Sequence, residues 1–192
     1  MVMPLALAAC KKGWSLLELT GLTMGTGYSI AAIDHSRAVD KAELQAAVDK
    51  ALVQVNTQMS NWDAGSEISR FNAAATGTTL PVSAELAHVM QAAAEVHDAS
   101  EGRFDVTVGP LIDLWGFGAG HTRQDMPTDA DIARAMDCCG QARSVEIRNG
   151  ALTKTTDGAE VYLSSIGKGF GVDHVARAIE SFGITDYMVE IG

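Results

Sequence analysis

The chain has 192 residues, of which 47% are hydrophobic and 20% are charged. This length and composition predict one sizeable globular domain and exclude a disordered chain. The formal net charge is -10, from 24 acidic and 14 basic residues, and no run of Lys or Arg forms a stripe that could neutralise successive phosphates. Nucleic acid is therefore not expected as a partner.

The N-terminus begins with a short apolar run that ends in the sequence LAAC at residues 7–10. Small residues before a cysteine are typical of a lipoprotein signal, so we predict a signal tail and linker at 1–19 and one domain at 20–192. The positively charged start of a secretory signal is missing and the apolar run is about half the usual length, so an ordinary cysteine in an apolar tail is the alternative. No later stretch approaches the ~20 apolar residues of a membrane span. Membrane contact is therefore expected only through a lipid on Cys10.

The first half of the domain combines strand and helix patterns. Apolar alternation predicts strands around Leu17–Leu19 and at Tyr28–Ile33. Asp40 and Glu43 have the spacing of a capping box and predict the start of a helix. Its apolar face, at a period of 3.6 residues, consists of Leu44, Val48, Ala51, Leu52, Val55 and Met59. A second helix is predicted from a Ser83 cap toward Gly102.

The second half returns to strands after one short helix, which is predicted between a Thr128 cap and Gly140. Asn149-Gly150 lies between two alternating runs, which is a strong hairpin signal. Residues 160–164 are predicted to be extended, 168–182 helical, and 187–191 extended again. The mixture predicts an α+β fold, with a largely antiparallel sheet and flanking helices. The last strand reaches residue 192 with no turn after it, so we expect the chain to be a piece of a longer domain.

Common sequence templates for catalysis and binding are missing. There is no third glycine of a dinucleotide fingerprint and no Gly-Lys-Ser/Thr phosphate loop. The five histidines include no metal-binding pair at helical spacing, and no serine lies in a nucleophile elbow. The adjacent Cys138 and Cys139 suit neither a metal knuckle nor an ordinary disulfide. Any function must therefore come from less generic segments.

Two early segments have compositions suited to a ligand. Met24–Gly27 has two glycines around a threonine between strands, where backbone amides could approach a ligand closely; a β-bulge is the alternative. Residues 59–72, MSNWDAGSEISRFN, place Trp62 on a polar loop with no obvious core face. A flat heteroaromatic ligand would offer this indole a partner, and packing under the loop is the alternative.

Two later segments have the same character. In residues 102–118, GRFDVTVGPLIDLWGFG, Phe104 and Asp105 precede a turn at Gly109-Pro110. The segment as a whole therefore offers an aromatic wall, a hydrogen-bond acceptor and exposed amides. In residues 161–173, VYLSSIGKGFGVD, a predicted strand ends at the two serines and a helix starts near Lys168. Free amides, a positive helix end and an ammonium would then converge on an anion, with a plain surface lysine as the alternative.

In order and spacing, these four segments and the final YMVEIG resemble the ApbE family of FAD:protein FMN transferases, over residues 20–192. The resemblance implies an ApbE/T-fold-like domain of which this chain is the N-terminal portion, truncated at its C-terminus. It implies FAD as substrate, with its diphosphate on Mg²⁺. The FMN half would be transferred to a Ser or Thr hydroxyl of a target flavoprotein subunit, such as one of a respiratory electron-transport complex, with release of AMP. It also implies a lipid-anchored protein on the periplasmic side of the bacterial inner membrane.

The resemblance further implies which residues form the site. Those that would contact FAD are Met24, Trp62, Arg103, Phe104, Asp105 and Lys168. Ser165 would offer its oxygen to the metal, and Trp62 stands where the family often has Tyr. The catalytic base and the remaining metal ligands would lie in a C-terminal half. Tyr162 occupies a position where the family usually has Asp, which predicts weaker FAD binding because a carboxylate is lost.

Two other functions remain open from the sequence. In a Mg²⁺-dependent FAD pyrophosphatase, water would replace the protein hydroxyl and release free FMN. A non-catalytic periplasmic FAD-binding lipoprotein is favoured by Tyr162 and by the expected truncation.

Overall fold

The computed structural model describes residues 13–119 and 125–192. Cys10, the predicted lipid-attachment site, lies outside these residues. In chain order the elements are β1 (Ser15–Thr23), β2 (Thr26–Asp34), α1 (Lys41–Met59), α2 (Glu67–Ala73), β3 (Thr79–Pro81), α3 (Ala84–Ala99), α4 (Gly109–Leu114), α5 (Asp129–Asp137), α6 (Gln141–Ser144), β4 (Val145–Arg148), β5 (Ala151–Lys154), α7 (Gly167–Glu180) and β6 (Asp186–Ile191). None of the helices in the described ranges is both long enough and apolar enough to cross a bilayer.

The described strands form two antiparallel sheets of three strands each, in the orders β1-β2-β6 and β3-β5-β4. With helices around them, they confirm the predicted α+β class. In the first sheet Thr23 lies opposite Thr26 and Tyr28 lies opposite Ile191. β1 starts at Ser15, so residues 15–19, which the sequence assigns to the linker, pair with β2.

One hydrophobic core lies between the first sheet and two long helices. α1 packs against α7, and both helices cover the face of the sheet that carries Leu19 and Ile30. Asp40 caps α1 by accepting hydrogen bonds from the amides of Ala42 and Glu43. The predicted apolar face of α1 is confirmed, because each of its members is buried: Leu44, Val48, Ala51, Leu52, Val55 and Met59.

A second core lies beneath α2, α3 and the smaller sheet. Its fully buried members include Ile68 and Phe71 of α2 and Leu86 of α3, and Ser66 caps α2 while Ser83 caps α3. Met24, in the turn between β1 and β2, packs against both cores. The place where the two cores meet is therefore at this turn.

Residues 160–164 do not form the predicted strand. They contribute one isolated parallel bridge, between Val108 and Glu160. The reason is that side chains rather than a neighbouring strand take up the peptide groups of Val161: Asn61 and Asn72 both donate to its carbonyl, at 2.7 and 2.9 Å. The amide of Val161 in turn donates to the side-chain oxygen of Asn72 at 2.8 Å. We call this arrangement the asparagine clamp.

Candidate functional site

A cavity of about 110 Å³ opens where the β1–β2 turn, the end of α1 and the start of α7 come together. Three of the residues predicted from the sequence line it, Met24, Trp62 and Lys168. They come from well-separated parts of the chain, so the fold itself assembles this cavity.

The turn that carries Met24 is tight. Met24 and Gly25 have φ angles of 49° and 73°, both in the left-handed region, and they join strands that pair up to Thr23 and Thr26. Two left-handed residues between paired strands are typical of a type I′ hairpin turn, so this segment is a turn rather than a β-bulge. Such a turn fixes the direction in which the Met24 side chain leaves the backbone.

Trp62 projects from a loop that is held in place by short polar side chains. The Ser66 hydroxyl donates to the carbonyl of Ser60 at 2.7 Å, and the hydroxyl of Ser69 donates to the same oxygen at 3.1 Å. The residue is 71% exposed, so it does not pack under the loop. A rigid loop with an open indole face is well suited to stack on a flat ring.

Lys168 lies in the first turn of α7, at the polar end of the cavity. No side chain caps this helix of 14 residues, and its first amide, that of Gly167, donates to the carbonyl of Leu163 at 2.6 Å. The positive end of the helix dipole lies beside the ammonium of Lys168. Nζ of Lys168 lies so close to the end of β6 that a Cβ atom on Gly192 would come within 2.5 Å of it. Gly167 and Ser164 line the cavity beside Lys168. This end of the cavity can accept an anion.

A wider depression of about 570 Å³ lies next to the cavity. The two share Asn61, Trp62 and Tyr162 in their walls, and Glu160 and Ala119 line the wider one. Together they form an elongated site with an indole between a narrow and an open part.

Tyr162 is a buried member of the shared wall. Its hydroxyl donates to Asp113 at 2.8 Å and accepts from the amide of Ala119 at 3.4 Å. Burial, together with the hydrogen bond to the Asp113 carboxylate, raises the pKa of Tyr162 to about 12. The phenol is therefore neutral at physiological pH. Its hydrogen bond with Ala119 holds the segment after α4 against the site.

Lys154 contacts the asparagine clamp through the backbone of Asn72. It is buried, and its ammonium donates to the backbone carbonyl of Asn72 at 2.5 Å, near the end of α2. Burial lowers the pKa of this lysine. Sequence reasoning missed Lys154, Asn61 and Asn72 as site-positioning residues, since no local pattern marks them.

Arg103, Phe104 and Asp105 lie outside the walls of both the cavity and the wider depression. Arg103 is exposed and pairs with Glu101 at 2.9 Å, while Phe104 packs against the second core. One oxygen of Asp105 accepts from the amide and hydroxyl of Thr107, at 2.7 and 2.5 Å, and the other accepts from the amide of Gln141 at 3.0 Å. The structure thus brings Met24, Trp62 and Lys168 together at the cavity. The stretch 103–105 lies elsewhere.

A sequence model of the ApbE family matches residues 24–192. The chain belongs to the ApbE family. It is 40% identical over 188 residues to the FAD:protein FMN transferase of Vibrio cholerae and 37% identical over 197 residues to that of Haemophilus influenzae. These matches cover 98% and 100% of this chain but 56% and 57% of the relatives, so the chain spans a little over half of their length.

Solved structures of ApbE proteins have the same fold. The flavin transferase ApbE from Vibrio cholerae matches with a TM-score of 0.90 and 39% identity, over 94% of this chain and 58% of that one. The apo form of the Pseudomonas stutzeri flavinyl transferase ApbE matches with a TM-score of 0.87 and 30% identity, over 93% of this chain and 59% of that one. The ApbE-like fold predicted from the sequence is confirmed.

Ser165, the predicted metal ligand of this ApbE chain, is exposed and lies next to Ser164 at the cavity. Within residues 13–119 and 125–192 no group of three or more His, Cys, Asp or Glu side chains is placed to hold a metal ion. Magnesium prefers several oxygen ligands that include carboxylates, and one serine hydroxyl does not supply them. The described residues therefore do not by themselves fit a Mg²⁺ ion.

Proposed function

We propose that this chain forms the flavin-nucleotide-binding part of an FAD:protein FMN transferase. The observation that carries the proposal is the cavity in which Met24, Trp62 and Lys168 meet. The printed names of the relatives from Vibrio cholerae and Haemophilus influenzae, both FAD:protein FMN transferase, support it. The acceptor subunit, a lipid on Cys10 and a periplasmic location are proposals that rest on the sequence alone.

In this proposal the flavin nucleotide lies across the site, with a ring on Trp62 and the diphosphate at the start of α7. An exposed indole on a fixed loop contributes about 1–3 kcal/mol when an aromatic base stacks on it. The ammonium of Lys168 and the positive end of the α7 dipole offset the negative charge of the diphosphate. Tyr162, which is neutral, adds no negative charge to the wall beside it.

The proposed chemistry is a phosphoryl-group transfer. A Ser or Thr hydroxyl of the acceptor attacks the phosphorus of the FMN half, in line with the departing AMP. Positioning and charge neutralisation supply most of the rate enhancement in such reactions, and the residues of this chain serve both by holding the nucleotide. The family resemblance implies a Mg²⁺ ion, but the described residues do not by themselves supply the ligands to hold it.

The binding part of the proposal is tested by Lys168→Ala, with Lys50→Ala as the matched control. Lys50 is an exposed residue of α1 that lines neither the cavity nor the wider depression, so both variants change the net charge equally. We expect Lys168→Ala to raise the Kd for FAD about tenfold at low salt, since a charge-assisted hydrogen bond is lost. The increase is smaller at high salt because ions screen the lost attraction. Fluorescence titration of FAD measures both variants.

An unchanged Kd in Lys168→Ala, or equal losses in both lysine variants, would remove Lys168 from the site. The reaction itself is tested with FAD and a peptide that carries an acceptor threonine. AMP with a flavin-linked peptide supports the transferase, whereas AMP with free FMN identifies a pyrophosphatase. Tight FAD binding without AMP identifies a flavin carrier.

A further inference from the structure

Gly171, in the middle of α7, lies directly beneath the side chain of Met24. A Cβ atom at this position would lie 2.7 Å from the terminal methyl carbon of Met24, closer than real Cβ contacts allow. Cδ1 of Ile191, the next nearest side chain, is 3.4 Å away, which is tight but tolerable. The missing side chain of Gly171 thus leaves a notch in the helix, and the Met24 methyl group occupies it.

The notch matters because the Met24 side chain that fills it also lines the cavity. Its backbone is fixed by the tight turn, with φ of 49°, and its side chain lines the cavity that Lys168 also lines. Lys168 and Gly171 are three residues apart on α7, so they share one face of the helix. A side chain at position 171 would displace the flexible end of Met24 from this face of the helix.

We propose that Gly171 is a positioning residue for the nucleotide site, which keeps the cavity open by receiving the Met24 methyl group. This rests on the proposed function, since it assigns a role in the same cavity. The cavity has a volume of about 110 Å³, so a displaced methyl group takes up space that the ligand would otherwise occupy. Met24 itself contacts the ligand, whereas Gly171 acts through Met24.

The same helix offers a matched control. Gly169 is exposed, and a Cβ atom there would meet nothing within 4 Å. Replacing either glycine by alanine favours the helix in the same way, because alanine has the higher helix propensity. Both variants therefore reduce the freedom of the backbone, but only Gly171→Ala adds a contact with Met24.

The experiment measures FAD binding in Gly171→Ala and in Met24→Ala with and without Gly171→Ala, while Gly169→Ala serves as the control for helix stability and for the position of Met24. We expect Gly171→Ala to raise the Kd about tenfold. Met24→Ala raises the Kd by itself, and adding Gly171→Ala to it has no further effect, because the methyl group that would be displaced is gone. Thermal melting checks that all variants are folded. An equal effect of Gly171→Ala in both backgrounds, or none in either, overturns the proposal.

A second readout does not depend on FAD. Methionine methyl groups are labelled with ¹³C, and the Met24 signal is assigned as the one that Met24→Ala lacks. Gly171→Ala is expected to shift this signal and Gly169→Ala to leave it in place. If the wild-type protein does not bind FAD, the proposed function fails, while the methyl shift still decides whether the notch positions Met24. An unshifted Met24 signal in Gly171→Ala overturns the notch, whatever FAD does.

Discussion

The cavity and the surroundings of Asp105 both contain polar side-chain groups, but these groups differ in what they contact. Around Asp105 both carboxylate oxygens are already bonded, to Thr107 and to the amide of Gln141, and these two partners are buried. At the cavity, Trp62 is largely exposed and the half-buried Lys168 lines the wall. Polar groups that bond one another stabilise the fold, whereas polar groups that face a cavity remain available to a ligand.

The largest effect that would test this contrast is expected from Asp105→Ala. The substitution removes both acceptor oxygens and leaves the buried amides of Thr107 and Gln141 without a partner. We expect the free energy of unfolding to fall by about 3 kcal/mol, measured by urea denaturation. Arg103→Ala, at an exposed ion pair, is the control and is expected to cost less than about 0.5 kcal/mol. Full stability together with lost FAD binding in Asp105→Ala would place Asp105 in the site after all.

A smaller loss of stability is expected at the asparagine clamp. There, polar groups that bond one another adjoin a wall of the cavity. Asn72→Ala loses the bonds to both peptide groups of Val161, so the free energy of unfolding should fall by about 2 kcal/mol. Because Val161 adjoins the wall residue Tyr162, the Kd for FAD should rise as well. Asn72→Asp is the graded control, since it keeps an acceptor for the Val161 amide and loses the donor to the carbonyl. A stability loss with no change in FAD binding would show that the clamp does not position the cavity.

The smallest effect is expected at Tyr162, and it depends on pH. Tyr162→Phe removes the hydrogen bond to Asp113, which at neutral pH should lower the free energy of unfolding by about 1 kcal/mol. The folded-state pKa is about 12, above the unfolded value of about 10. The stabilisation is therefore complete below pH 10, and it is lost as the pH rises from 10 to 12, because the unfolded chain ionises first.

Urea midpoints for the wild type and Tyr162→Phe at pH 7, 9 and 11 measure this dependence. The difference between the two proteins should shrink only at the highest pH. A difference that stays constant across the series would mean that the hydroxyl of Tyr162 does not stay protonated in the folded protein.

Local features of the fold could be predicted from the sequence because a few consecutive residues determine them. Asp40, Ser83 and Thr128 are predicted as helix caps, and the side chain of each accepts hydrogen bonds from first-turn amides. Asn149 and Gly150 both have left-handed φ angles, 51° and 72°, as the predicted hairpin turn requires. The third predicted helix, however, ends at Asp137, because Gly140 instead serves as the N-cap of α6.

Features that depend on distant residues could not be predicted in this way. Residues 160–164 have the alternation of a strand, but side chains that lie 100 and 89 positions away bond Val161. Asp105 has a local signal, since an Asp two residues before a Thr is typical of a turn, yet its second partner lies 36 positions away. The meeting of Met24, Trp62 and Lys168 followed from the family resemblance, because no periodicity relates these three residues.

The asparagine clamp also affects how one molecule meets another. An extended stretch with free peptide groups can recruit a strand from a second copy, which is a common start of aggregation. Here Asn61 and Asn72 occupy the peptide groups of Val161, and the amide of Tyr162 is bonded to the carbonyl of Val106. The two asparagines thus leave neither peptide group of the buried Val161 available for pairing with a strand of a second copy.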